Sequence, residues 1–355
     1  MPVSLILVIL ITILAAVAAL EILSLKLDPY RVSWSCAVNM DLAEPDETAA
    51  LSFRVVNRSA LPLLFVSFSF VFSDAVTVLG DVSRLKGERK DGMFGQTVTY
   101  HASLMPHRGL KGTIYFSFKE RGLHDLGKIY LETGDFLGFR SKVRSFEIDH
   151  RVVCTARSLG EDPCLRPLGG YLGDVSVRRF IHEDPGLILG YRPYTGTEPM
   201  KDISWSQTAR TDELMVKKHD FTVDVDVAVL LDVEQCGRSV AERCLSLVRT
   251  VCDALETRRI PYSVLSNGDL FETQKGVGRK HCFEIQRRIG LSHFVRYQSF
   301  SALSGQWSRP ASGRRGFIVI APTATPELEA DVAKLERVSG VPALLLTGEE
   351  ASPDA

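Results

Sequence analysis

The sequence has no CxxC pair and no Cys/His group at zinc-site spacing, which argues against a zinc ribbon or a dithiol redox motif. It also lacks a GxxxxGK[ST] phosphate loop, a GxGxxG turn after a strand, an HExxH helix and a GxSxG elbow, so the common nucleotide, zinc-protease and hydrolase signatures are missing. Charge of one sign is missing too. The 42 Lys and Arg against 43 Asp and Glu leave a net charge of -1, too little to draw nucleic acid or an anionic surface. No internal repeat or long low-complexity run is apparent. These absences point to a non-enzymatic protein without a small-molecule substrate or a nucleic-acid partner.

Seven cysteines are present: Cys36, Cys154, Cys164, Cys236, Cys244, Cys252 and Cys282. An odd, scattered set suits a reducing compartment better than a disulfide framework. Cys244 and Cys252 lie at helical spacing among apolar residues, where cysteine acts as a small hydrophobe.

Residues 2–20 form a run without a charge, PVSLILVILITILAAVAAL. As a helix it would rise about 28 Å, close to the hydrocarbon thickness of a bilayer. The alternative is a cleaved signal peptide, because Ala16-Val17-Ala18 has the small-x-small form of a cleavage site. The lack of a preceding Lys or Arg and the length of the run favour an uncleaved anchor. Lys26 and Arg31 follow it, which places the bulk of the chain in the cytoplasm by the positive-inside rule. The expectation is therefore a single-pass protein of the cell membrane, with cytoplasmic soluble domains.

Beyond the anchor the pattern is β-like. Residues 51–56, 61–72, 113–118 and 128–131 are short β-prone runs separated by Gly, Asn, Asp and Pro, as in an antiparallel, immunoglobulin-like sandwich. The sequon Asn57-Arg58-Ser59 reads as a hairpin turn rather than a glycan site.

From about residue 220 strands and helices alternate. Residues 223–231 (VDVDVAVLL) become continuously apolar, as in a buried parallel strand. Residues 239–257 carry Val240, Cys244, Leu247, Val248, Val251 and Leu255 on one helical face, with Ser239 as a cap. Further strands are expected at 261–266, 316–321 and 341–346, and helices at 280–289 and 326–337, the last opening on Pro326. Such alternation predicts a mostly parallel, doubly wound α/β sheet. The four segments are an anchor at 1–27, a β-sandwich at 28–155, a connector at 156–220 and an α/β domain at 221–355.

Ligands of such sheets bind at the C-terminal ends of the strands. The first end reads Leu231-Asp232-Val233-Glu234-Gln235-Cys236. This resembles the start of the metal-dependent Asp-x-Ser-x-Ser motif of von Willebrand factor A modules, with Glu234 and Cys236 at the two Ser positions. A thiol is the wrong donor for Mg²⁺, and Ala321-Pro322-Thr323 lacks the usual distal Asp. Asp232 and Glu234 are the candidate cation ligands; the alternative is a helix-capping loop without metal. His182-Glu183-Asp184 is read as a solvated loop rather than acid/base machinery, and the adjacent His281 and Cys282 do not imply a pair.

The densest stretch lies between the two regions: Tyr191-Arg192-Pro193-Tyr194, the turn Gly196-Thr197-Glu198-Pro199, then Asp202-Ile203-Ser204-Trp205-Ser206-Gln207-Thr208-Ala209-Arg210 and Leu214-Met215-Val216-Lys217. Asp202 is placed as the cap of a short helix carrying Trp205. Two readings stay open: a buried Arg–Asp network around the tryptophan, or a protein-binding face of Trp and Arg hot spots.

The stretch resembles the Asp-x-Ile-x-Trp-x-x-(Ser/Thr)-Ala-Arg signature of the domain-of-unknown-function family 58. Upstream, Arg121-Gly122-Leu123-His124-Asp125-Leu126-Gly127 and Gly134-Asp135-Phe136-Leu137-Gly138 are similar to that family's paired Arg-Gly and Asp-Pro-Phe-Gly elements. The resemblance implies a prokaryotic protein with a degenerate von Willebrand factor A-like domain, acting beside a MoxR-type AAA+ ATPase or its client in the assembly or maturation of protein complexes. On this expectation Arg192, Tyr194, Asp202, Trp205, Arg210 and Lys217 form the partner-binding signature. The contrasting expectation is a cation-dependent adhesion receptor using Asp232 and Glu234.

Overall fold

The structure is a computed structural model. It describes residues 3–25, 32–80, 87–92, 95–134, 140–160, 162–178, 184–220, 226–270, 273–307 and 315–349. The chain divides into two compact units, Met1–Thr155 and Ala156–Ala355.

Among its described residues the first unit holds a helix α1 (Val3–Leu25) and twelve strands: β1 (Val32–Val38), β2 (Leu42–Ala43), β3 (Ala49–Asn57), β4 (Leu63–Val71), β5 (Val76–Leu79), β6 (Gly87–Gly92), β7 (Gly95–Leu104), β8 (Gly109–Phe118), β9 (Gly122–Asp125), β10 (Lys128–Gly134), β11 (Ser141–Glu147) and β12 (Arg151–Cys154). One sheet runs β1-β3-β8-β5 and a second β11-β10-β4-β7-β6, while β2-β12-β9 forms a smaller third. The two main sheets are antiparallel throughout.

Alternation explains the sandwich. On β3 the side chains of Ala49, Leu51, Phe53 and Val55 are buried while Ser52 and Arg54 face out, so one face of each strand supplies the core. Phe53, Phe70 and Tyr100 meet there with ring centroids 4.9–6.0 Å apart, in the tilted and edge-on geometries aromatic quadrupoles favour. Gly127 has φ +111°, and a Cβ there would lie 2.0 Å from the Val71 carbonyl oxygen. Leu126 beside it is fully buried. That part of the upstream motif is thus a packing device; residues 135–139 lie outside the described residues.

The membrane expectation is overturned. Among the described residues no helix is long and apolar enough to cross a membrane. The single-pass anchor and the membrane location with cytoplasmic domains are therefore withdrawn. Lys26 and Arg31, which set the expected orientation, lie outside the described residues.

The second unit contains α2 (Arg166–Arg178), β13 (Asp184–Pro193), α3 (Trp205–Thr211), β14 (Met215–Asp220), β15 (Asp226–Leu231), α4 (Arg238–Thr257), β16 (Tyr262–Ser266), α5 (Arg279–Leu291), α6 (Phe300–Trp307), β17 (Arg315–Ala321), α7 (Pro326–Ser339) and β18 (Leu344–Thr347). Its four-stranded sheet, β16-β15-β17-β18, is parallel at every pairing. All six residues of β15 are buried, because both sheet faces are covered. Val227, Val229 and Leu231 pack with Leu172 of α2, Val248 and Val251 of α4 and Ile285 of α5. Ala228 and Leu230 pack with Leu303 of α6 and Val332 of α7 on the other side.

Helix ends follow local chemistry unevenly. Thr325 caps α7, accepting the Leu328 N–H, with Pro326 in the first turn and Gly340 closing the helix at φ +63°. Ser239 does not cap α4: the cap position is Gly237, without a side-chain hydrogen bond.

Candidate functional site

The family-like stretch folds as an arm of the second unit. β13 and β14 pair antiparallel, with Tyr191 opposite Lys217 and Arg192 opposite Val216, and a bulge between Ile188 and Gly190. The Tyr194 N–H donates to the Leu214 carbonyl at 2.7 Å, closing the hairpin end. Between the strands, Glu198 organises the turn. Its carboxylate accepts the Thr195 hydroxyl at 2.7 Å, the Thr195 N–H at 3.1 Å and Arg192 Nη1 at 2.5 Å. These bonds, the Thr195 hydroxyl foremost, hold its carboxyl down at about 2. Thr195-x-x-Glu198 has capping-box spacing, a signal by which the turn's anchor was legible in the sequence.

The chain then returns along β14. Ile203 bridges Val216, Ser204 donates its N–H to the Met215 carbonyl at 2.8 Å, and the Met215 N–H donates to Thr208 Oγ1 at 3.0 Å. Ile203, Ser204 and Val216 are buried. Asp202 lies in a 3-10 turn, Met200–Asp202, and the cap position of α3 is Ser204, not Asp202.

The tryptophan is outside. Trp205 is 63% exposed, with Met200 at 71% and Ile188, Leu214 and Tyr191 at 40–44%. Arg192 and Arg210 are exposed, whereas Tyr194, Asp202 and Lys217 are half-buried. Trp205 is thus not the buried centre of a network, and Arg192 pairs with Glu198.

At the strand ends, Asp232 is buried and its Oδ1 accepts Asn267 Nδ2 at 2.7 Å. Asn267 Oδ1 accepts the Val233 N–H at 2.6 Å, and its carbonyl accepts the N–H groups of Tyr297 and Gln298. Burial pushes the Asp232 carboxyl up; the Asn267 bond opposes that shift and Glu234 adds to it. This donor set does not fit a cation: one carboxylate oxygen is held by an amide, and Cys236 supplies a thiol. Among the described residues no group of three or more His, Cys, Asp or Glu is arranged to hold a metal. Sequence reasoning missed Asn267, although Ser266-Asn267-Gly268-Asp269 is a turn signal at a strand end.

His281 Nε2 meets the Tyr262 carbonyl at 3.1 Å while Cys282 accepts Gln286 Nε2 at 3.0 Å, so the two neighbours turn to different partners. His182 and Glu183 lie outside the described residues, as does the Asp184 side chain. All seven cysteines are free.

No family model matches the chain, and no curated protein matches it. Among solved structures, a cohesin module of a Clostridium perfringens glycoside hydrolase is similar over 35% of this chain and 96% of its own, at 13% identity and TM-score 0.24. An immunoglobulin-like protein from Nocardia farcinica covers 34% and 96% at 10% identity and TM-score 0.22. A CARDB domain from Pyrococcus furiosus covers 36% and 97% at 11% identity and TM-score 0.21. Likenesses this distant carry no argument about activity.

Proposed function

We propose that the protein is a non-enzymatic scaffold or adaptor that presents the β13–β14 arm to another protein. The observation that carries this reading is the 63% exposure of Trp205, with Met200 exposed as well, on an arm fixed by its own hydrogen bonds. Single exposed apolar residues are ordinary, but a concentration of them marks an interaction surface. Tryptophan, tyrosine and arginine are the side chains that most often dominate such surfaces. A preformed arm also loses less conformational freedom on binding.

The resemblance to family 58 supplies the partner class: a MoxR-type AAA+ ATPase or its client. On the same reading the parallel-sheet unit is a degenerate von Willebrand factor A-like domain, its cation site replaced by the Asp232–Asn267 pair. The test is a photo-crosslinking residue at position 205 of the full chain in its native host. Crosslinks to an AAA+ ATPase or its client support the reading. A residue that crosslinks to nothing at 205 while the chain stays folded sinks it.

A further inference from the structure

Among the described residues the two main sheets of the sandwich have four edges, and they differ in protection. Natural proteins blunt edges by shortness, charge, proline or bulges, since an open row of N–H and C=O groups invites another strand. β5 is short at four residues. β6 (GERKDG) and β11 (SKVRSFE) carry charges. β1 (VSWSCAV) has no charge and no proline, and its seven pairs with β3 run in unbroken register. Among the described residues it has no second neighbour.

The open backbone groups of β1 can be assigned. The Asn39 N–H donates to the Ala50 carbonyl at 3.1 Å, so alternate residues back from Asn39 (Ala37, Ser35) point their N–H groups toward β3. Those of Trp34, Cys36 and Val38 then point to the open edge. Their side chains pack on the sandwich core yet stay partly exposed. An added strand would complete that cover with every second residue.

The opposite face supplies the charge preference. Ser35 and Ala37 are small and exposed, and behind them Arg54 of β3 sits directly opposite Lys111 of β8. Like charges directly opposite on a sheet repel, and neither has a carboxylate partner among the described residues. They edge a depression of about 510 Å³ lined also by Ser35, Ala37, Ser52 and Thr113. A strand added to β1 would lie roughly 4.8 Å from it and about twice that from β3. An acidic side chain can cross above Ser35 and Ala37 toward Arg54.

We propose that β1 is a docking edge for an extended acidic segment of a partner protein. That segment adds to the β1-β3-β8-β5 sheet, with apolar residues laid on Trp34, Cys36 and Val38 and alternating Glu or Asp turned to Arg54 and Lys111. This site is separate from the Trp205 arm and does not depend on it.

The test uses the full chain and labelled nine-residue peptides that alternate Val with Glu or Val with Lys, read by fluorescence anisotropy. The Val/Glu peptide is expected to bind at least tenfold tighter than the Val/Lys one. Arg54→Glu with Lys111→Glu, both at exposed positions, is expected to remove or invert that preference. Cys36→Pro deletes an outward N–H and is expected to weaken both peptides. Equal binding of the two peptides, no binding of either, or a preference untouched by the double charge reversal in a folded protein overturns the proposal. A concentration-dependent dimer that Cys36→Pro dissociates also overturns it, giving the edge to a second copy.

Discussion

Asn267 and Asp232 are joined side chain to side chain at the C-terminal ends of β16 and β15, Nδ2 to Oδ1 at 2.7 Å, and the same amide accepts the Val233 N–H. One residue thereby satisfies a buried carboxyl and a buried backbone donor. Asn267→Ala would leave both without a partner, and a loss of about 2–4 kcal/mol is expected, readable from urea unfolding of the second unit.

The same pair predicts a pH dependence. Burial raises the Asp232 carboxyl above its ordinary 3.8. A raised acid binds its proton more tightly when folded, so folding takes up protons between 3.8 and the raised value, and stability falls as pH rises through that window. Asp232→Asn keeps an acceptor for Asn267 and removes the titration. The stability of Asp232→Asn relative to the natural chain should therefore increase from pH 3.5 upward. A difference that stays flat across this range would show that Asp232 titrates alike in both states.

Asn57 makes a comparable case in the sandwich. Its Nδ2 donates to the carbonyls of Leu61, Leu104 and, at 3.3 Å, Met105, while its Oδ1 accepts the N–H and hydroxyl of Ser59. The side chain is fully buried, so the sequon fastens a turn, but not the hairpin expected of it, because β3 and β4 lie in different sheets. Asn57→Ala is expected to cost about 2–4 kcal/mol, measured by thermal or denaturant unfolding of the full chain.

What was legible followed from periodicity. The β15 run, the apolar face of α4 and the Pro326 start of α7 all stand where spacing placed them, because one-dimensional patterns report burial of faces directly. α2 and α6 were missed: α2 carries three glycines and a proline in RPLGGYLGDVSVR, a composition that argues against helix until packing of Leu168, Leu172 and Val175 overrides it. The arm was legible as an extended segment and a turn, but not as a hairpin, since its strands lie apart in sequence and pair across α3. Exposure of Trp205 was beyond the sequence for the same reason: a tryptophan beside arginines fits a buried network or an open face equally well. The membrane expectation is not carried by any helix among the described residues.

Glu198 offers a test of the arm by itself. Its carboxyl is depressed from 4.5 to about 2, first by the Thr195 hydroxyl bond. A depressed acid contributes order that is present above its unfolded value and lost as pH falls through the folded one. Amide exchange at Thr195 and Thr197 should therefore speed up, beyond the intrinsic change, as pH is lowered from 4.5 toward 2. Glu198→Gln should show the faster exchange already at neutral pH. Exchange that is unaltered in Glu198→Gln would mean the turn is held by its backbone alone.

Trp205 separates stability from recognition. At 63% exposure its ring gives little to the fold, so Trp205→Ala should change unfolding free energy by no more than about 0.5 kcal/mol. If the ring anchors a partner, the same change should weaken capture by tenfold or more, because a central tryptophan is worth about 2 kcal/mol or above when truncated at an interface. Arg210→Ala, exposed on the same helix, should weaken capture less if it lies on the rim of the contact. The informative measurement is the pair of numbers for one variant, unfolding and partner affinity. A Trp205→Ala chain that binds normally would leave the exposed ring unexplained and remove the arm as the contact. One that unfolds readily would instead place the ring in the fold's own packing, against its observed exposure.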